Sequence, residues 1–245
     1  MTKDEFSNRF DVLYNNITSS AAPGLDEYEK SVFATKAQLE KVKNSLNPKG
    51  NKYGEGFDHS AKRQIEFSTL VRKVELKRGN SAEFCRDAAA FDLLYTTEVS
   101  DGNGGMQTVD VEPKILAIVN EYLDYTDNGN TYRLVGVPIS NVEYDTLMSR
   151  PYKLPPKAQA WRLFVNGHFE VISAFKDSSN ISYHIRYVKV PDDIDLTVNT
   201  TDQCSELPEA VHEEILQRAV ELAKAAYVAD GNQQQILQTL GERSE

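Results

Sequence analysis

The sequence predicts an α+β protein: a helical bundle formed by N- and C-terminal helices with a central antiparallel β-rich unit. Three observations carry that class. Apolar residues recur at three- and four-residue steps through the first fifty residues and again after Pro208, the period of a helix with one buried face. From about 68 to 198 that period gives way to short stretches rich in β-branched and aromatic residues, separated by turn signals. Asn166-Gly167 stands between two of those stretches and is a strong two-residue hairpin signal. The expected organisation is a discontinuous helical layer, 1–67 with 205–245, and an inserted β-rich domain, 68–204.

Thr2 with Glu5 three residues on fits a capping box, in which each side chain satisfies an amide of the first turn. Phe6, Phe10, Leu13 and Ile17 then share a face, and Ser19 to Gly24 breaks the helix. A second helix begins at Leu25, with Asp26, Glu27 and Glu29 placed to complement its dipole. Its Leu25, Tyr28, Val32, Thr35, Leu39, Val42 and Leu46 form a seam suited to helix-on-helix packing. Asn47 to Gly56 reads as a glycine-rich loop, and a third helix covers about 58 to 67.

In the middle section, 91–96, 131–137, 161–165, 169–172 and 181–188 read as strands. Val111 to Tyr122 fits a strand or a short helix, while 101–105 and 127–130 look like loops or hairpin tips. Pro208 then suits a first turn, where a missing amide costs nothing. Val211, Ile215, Ala219, Leu222 and Ala226 give the last helix its apolar stripe, and the chain beyond Asp230 reads as a short helix or a tail.

A formal net charge of −10 repels phosphate backbones. The densest basic cluster, Lys62, Arg63, Arg72, Lys73, Lys77 and Arg78, is broken by Glu66 and Glu75 and reads as a solvated helix face. The charged start, Met1 to Glu5, leads into no apolar core of a secretory signal, and no segment has the ~20 apolar residues of a membrane span. Cys85 and Cys204 read as reduced core thiols, in keeping with assembly in a reducing cytoplasm.

Signals for chemistry are sparse. His59, His168, His184 and His212 show no metal-ligand spacing, and His212-Glu213-Glu214 lacks the second histidine of a zincin helix, Leu216 standing in its place. Asp124 to Val135 lacks the carboxylate that ends a calcium loop. There is no nucleophile elbow, phosphate loop or dinucleotide fingerprint. No catalytic, metal or cofactor site is therefore expected.

Tyr183-His184-Ile185-Arg186-Tyr187-Val188-Lys189-Val190-Pro191 is followed by Leu207-Pro208-Glu209-Ala210-Val211-His212-Glu213-Glu214-Ile215, and then by Arg218 to Ala223. Together these resemble the head-to-tail connector (adaptor or ring) proteins of short-tailed phages, in particular the ring proteins of crAss-like phages of gut Bacteroides. Leu25 to Gln38 is similar to the family's first long helix, and Arg150 to Leu163 to its proline-bearing approach to a strand. The glycine-rich 101–105 and the tail after 230 share no pattern with it.

The resemblance implies a structural ring subunit of the virion neck, expected to be twelve-fold and not an enzyme. Its implied partners are copies of itself, the portal, and the next tail ring or tail-tube protein, with DNA passing through without specific binding. Tyr152, Pro155, Pro156, Trp161, Arg186 and Tyr187 are the exposed interface candidates, since aromatic residues and arginine are enriched at hot spots. Plainer readings stand beside two of them: Trp161 in the core, and Arg186 paired with a carboxylate inside the sheet. Two other functions make different demands. A β-sandwich module binding glycans or receptors needs Trp161 accessible, and a hydrolase needs a concave pocket with converging carboxylates or histidines, for which His168, His184 and His212 are the test.

Overall fold

The computed structural model describes residues 1–15, 24–46, 61–79, 82, 85, 88–100, 106–127, 129–149, 154–175 and 180–229. The expected breaks and loops at 19–23, 47–56 and 101–105, His59, Tyr152 and the tail after 229 lie outside the described residues. In chain order the elements are α1 (Lys3–Asn15), α2 (Glu27–Leu46), α3 (Ala61–Phe67), β1 (Val71–Leu76), β2 (Ala89–Asp92), β3 (Tyr95–Ser100), β4 (Met106–Val111), β5 (Ile115–Asp127), β6 (Asn130–Pro138), α4 (Asn141–Met148), β7 (Gln159–Val165), β8 (His168–Ser173), β9 (Ile181–Lys189) and α5 (Glu209–Ala229). The chain divides into two compact units, Met1–Leu70 with Val190–Glu245, and Val71–Lys189.

In the first unit α5 packs against α2 and α1. Phe6, Phe10 and Tyr14 bury one side of α1. Val211, Ile215, Leu216, Ala219, Val220, Leu222 and Ala223 bury α5, while Ala226 stays exposed. The start of α2 is fixed by a reciprocal pair: the Glu29 amide donates to Asp26 Oδ1 at 2.7 Å and the Asp26 amide to Glu29 Oε2 at 3.0 Å.

The buried side of α2 departs from the expected apolar seam and shares only Val42 with it. It consists of Lys30, Ser31, Ala34, Ala37, Gln38, Val42 and Ser45, whereas Tyr28 and Val32 are exposed. The reason lies in the segment that follows β9, of which 190–204 is expected with the β-rich part but runs with the helices. Its backbone needs polar partners that Leu or Val cannot supply. The amides of Ile194 and Leu196 donate to Thr35 Oγ1 and Ser31 Oγ, and Gln38 Nε2 donates to the Asp192 carbonyl.

The second unit holds a seven-stranded sheet in the order β1-β9-β5-β6-β7-β8-β2, with a separate ribbon of β3 and β4. The sheet is mixed rather than antiparallel, because β6 and β7 pair in parallel. The 20-residue connection that a parallel neighbour demands contains α4, opened by a capping box of Ser140 and Glu143. Val111 to Tyr122 resolves as strand on both sides of a short break, Val111 ending β4 and Ile115 opening β5, and 91–96 divides at Leu93-Leu94 between β2 and β3. The basic cluster is no helix face: Lys62 and Arg63 belong to α3, while Arg72 and Lys73 lie on β1. Residues 166 and 167 turn with φ of 50° and 82°, the left-handed pair for which Asn-Gly is suited.

The sheet curls until its ends meet. Beyond β1, the Gly79 amide donates to the Ala90 carbonyl and the Asp92 amide to the Lys77 carbonyl, so the strand that begins beside β9 finishes beside β2. Phe91 of β2 accordingly lies edge-on to Tyr183 of β9, ring centres 5.3 Å apart. Leu123, Leu134, Phe169, Val171 and Ile185 fill the same interior. On the outside, α4 covers β7 and β8 through Tyr144 and Leu147 against Trp161, Leu163 and Ile172.

Candidate assembly surfaces

The buried polar clusters read as fold supports. Inside the curled sheet Tyr183 donates to Glu121 Oε2 at 2.5 Å, and Arg162 Nε reaches the same oxygen at 3.0 Å. Burial and the Glu121 charge push the Tyr183 hydroxyl well above its ordinary pKa, so it stays a donor. Under α4 the Cys85 amide donates to Glu170 Oε2 at 2.5 Å, and His168 lies 3.3 Å from the other carboxylate oxygen. Burial, followed by the Glu170 contact, moves the Cys85 thiol up to about 12.

In the first unit His212 Nε2 donates to the Leu207 carbonyl at 2.7 Å, leaving Nδ1 to accept from Cys204 Sγ at 3.5 Å. Desolvation lowers the pKa of His212 and raises Cys204 to about 11. A thiol held protonated beside a neutral imidazole is a poor nucleophile. Both cysteines are buried and free. The described residues hold no group of three or more His, Cys, Asp or Glu suited to a metal. The histidines named for a hydrolase lie on separate elements, His168 on β8, His184 on β9 and His212 on α5.

What the surface offers instead is three exposed features. The ribbon is amphipathic: Tyr95, Thr97 and Val99 share a face with Val111, Val109 and Gln107, and Val99 and Val109 are exposed. Tyr28 and Val32 of α2 are also open. The third is the outer side of β1, β9 and β5. There Arg133 stacks over Tyr122 at 4.2 Å while bonding Asp124, His184 stacks on the same ring, and Lys73 and Arg186 lie directly opposite one another. The strand period, read from Arg72 to Leu76, was the signal that could have revealed this face.

The interface candidates separate on exposure. Arg186 and Pro156 are exposed, whereas Pro155, Trp161 (9%) and Tyr187 (4%) are buried within the subunit. Trp161 packs beneath α4, so the accessible indole that a glycan-binding module needs is not there. Tyr187 points into the sheet interior with Tyr183 and Ile185, because alternate residues of β9 face inward. Arg186 faces out by the same alternation. The carboxylate inside the sheet is taken by Arg162 instead.

The profile of the family described as phage tail ring protein 3/4 matches residues 1–94 and 96–235. The chain belongs to that family. It is 44% identical to Ring protein 4/5 of Bacteroides phage crAss001 over 264 aligned positions, covering all of both chains. It is 26% identical over 236 positions to Ring protein 3 of the same phage, covering 91% of this chain and 95% of that one. Membership makes the chain a crAss-like phage ring protein, a structural component of the virion that assembles in a ring with other tail components. It also gives the exposed features a context, since a ring closed from identical subunits needs two different, complementary patches on each copy.

Proposed function

We propose that the chain forms one tier in the stack of rings that joins portal to tail, closing with copies of itself and continuing the DNA channel without catalysis. The observation that carries this reading is the end-to-end match to a ring protein, 44% identical over the whole of both chains. A twelve-fold ring fits a tier stacked on the portal, with the next tail ring or tail-tube protein below. The family's description as tail ring keeps another tier of the tail as the alternative position. Assembly takes place in the host cytoplasm and the product resides in the virion neck or tail.

Charge supports a passive channel. Met1–Leu70 with Val190–Glu245 carries 22 acidic against 13 basic residues, net −9, while Val71–Lys189 carries 15 against 14, net −1. A lumen wall drawn from the acidic unit repels DNA and removes minima in which it would stick. Charge reversal of lumen residues that left genome ejection unchanged would count against this. Of the interface candidates, Arg186 and Pro156 meet a neighbour directly, while Pro155, Trp161 and Tyr187 hold the surface from beneath, and Tyr152 stays a candidate on sequence alone.

The test is mass photometry of the purified chain, alone and mixed with the cognate portal and tail rings. The expected result is a shift of one partner's peak by about a full ring of subunits. If neither partner shifts and the chain stays monomeric throughout, the ring role is wrong.

A further inference from the structure

We propose that Lys73 and Arg186 form a docking pair for the acidic strip Asp192-Asp193-Asp195 of a second copy of this chain, giving the ring its subunit-to-subunit contact. The proposal rests on the ring reading and adds the two surfaces that meet. Lys73 of β1 and Arg186 of β9 are cross-strand partners, both exposed and both on the outer side of the sheet. The next residue in that row, Asn120 of β5, is uncharged. Like charges directly opposite one another destabilise a sheet, so a pair kept in this position has its compensation elsewhere. Among the described residues neither cation has an ion pair. The carboxylates on that side are engaged with other groups as well: Glu75 lies opposite His184, and Asp124, which also senses the charge of Lys73, is bonded by Arg133. Lys73 rests over the Tyr122 ring at 5.4 Å.

The complementary surface belongs to the other unit, as a ring requires. In the segment after Val190, Pro191, Ile194 and Leu196 are buried while Asp192, Asp193 and Asp195 are exposed. Three bonds to α2, through Ser31, Thr35 and Gln38, hold the backbone in place. The Thr197 hydroxyl and amide hold the Asp195 carboxyl below its usual range, so it is fully charged at neutral pH. A strip already ordered loses little freedom on docking. The unit that carries it has net charge −9, and the partner surface is a cation pair, so attraction is built in. Duplex DNA is the rival ligand for two cations, but Glu75 and Asp124 sit among them and would face its phosphates.

The experiment is a charge swap read by sedimentation velocity and mass photometry. It uses the full chain, alone and with its cognate ring partners, at 50 and 300 mM salt. K73E/R186E and D193K/D195K should each weaken ring formation at least tenfold, and wild-type assembly should weaken with salt. An equal mixture of the two variants should restore assembly, because every contact in an alternating ring is again complementary. Circular dichroism melting checks folding, and K73Q/R186Q replaces the reversal should that variant melt early. Variants that close rings as wild type does, or a mixture that stays apart, would overturn the contact while leaving the ring reading intact. A wild-type chain that enters no ring under any condition removes both. Anisotropy with a labelled DNA duplex completes the set: salt-dependent binding lost in K73E/R186E, with assembly unchanged, would overturn the proposal in favour of nucleic acid.

Discussion

Inside the curled sheet the space is filled by large rings, Phe91, Phe169 and Tyr183, around one buried carboxylate and one guanidinium. On the buried side of α2 the same task falls to two alanines, one valine, two serines, a glutamine and a lysine. There the Lys30 ammonium, 3% exposed, reaches Ser7 and Asp11 of α1 as well as Glu27. Burial opposes its charge, but Asp11 and Glu27 more than compensate and raise its pKa. The difference teaches that the sheet is specified mainly by volume and shape, and α2 mainly by hydrogen bonds to a segment that has no secondary structure of its own.

The largest expected effect is on the sheet. Glu121→Ala strands the Arg162 guanidinium and the Tyr183 hydroxyl, and should cost about 4 kcal/mol, the range for breaking a buried ion pair from one side. Urea unfolding followed by the fluorescence of Trp161, the single tryptophan, measures it; a loss below about 1 kcal/mol would mean the cluster is ornamental. Gly136→Ala comes next. A Cβ there would lie 2.6 Å from Glu121 Cγ and 3.0 Å from Cδ, atoms pinned by Arg162 and Tyr183, for about 2 kcal/mol. In a Glu121→Ala background the same change should cost almost nothing, and equal penalties in both backgrounds would refute the steric account.

In the helical unit Gln38→Ala removes the bonds to the Asp192 carbonyl and Ser205 hydroxyl, for about 1.5 kcal/mol by ellipticity at 222 nm. pH sharpens the contrast. Folding lowers the pKa of His212 from 6.5, so the neutral ring is favoured in the folded state. Its contribution is fully present above about pH 6.5 and is lost as pH falls towards the depressed folded value, at no more than about 1.4 kcal/mol per unit. His212→Gln should flatten that part of the melting-temperature profile, and an unchanged profile would acquit the histidine. Smallest of all, Tyr28→Ser on the exposed side of α2 should leave monomer stability within about 0.5 kcal/mol.

That last residue marks where sequence reading stops. The period of α2 announces a helix, but Tyr28 and Val32 of its apolar line are exposed and only Val42 of that line is fully buried, because the strip at Asp192 to Leu196 is met through backbone amides and carbonyls that no hydropathy pattern records. Local signals with a strong mechanism were readable: Asn166-Gly167 turned as its chemistry requires, and α5 buries the stripe after Pro208. The capping pair Ser140 and Glu143 was equally visible and announces α4, yet it was not read. Closure of the sheet was beyond reach, since it depends on three residues, Lys77 to Gly79, changing neighbours. The docking surfaces were half legible. Arg186 drew notice by residue type, but Lys73 was assigned to a helix, and only register places the two together.

The two thiols have a consequence for the particle's later life. A virion is put together in a reducing cell and then waits outside it, where exposed thiolates age by oxidation and crosslink their neighbours. With Cys204 at about 11, the reactive form at neutral pH is on the order of one in ten thousand, and Cys85, at about 12, is rarer still. Both are also walled off from oxidant. The ring subunit can thus cross from one redox world to the other unaltered, so that any loosening the tail needs at infection comes from its surfaces and not from its sulfur.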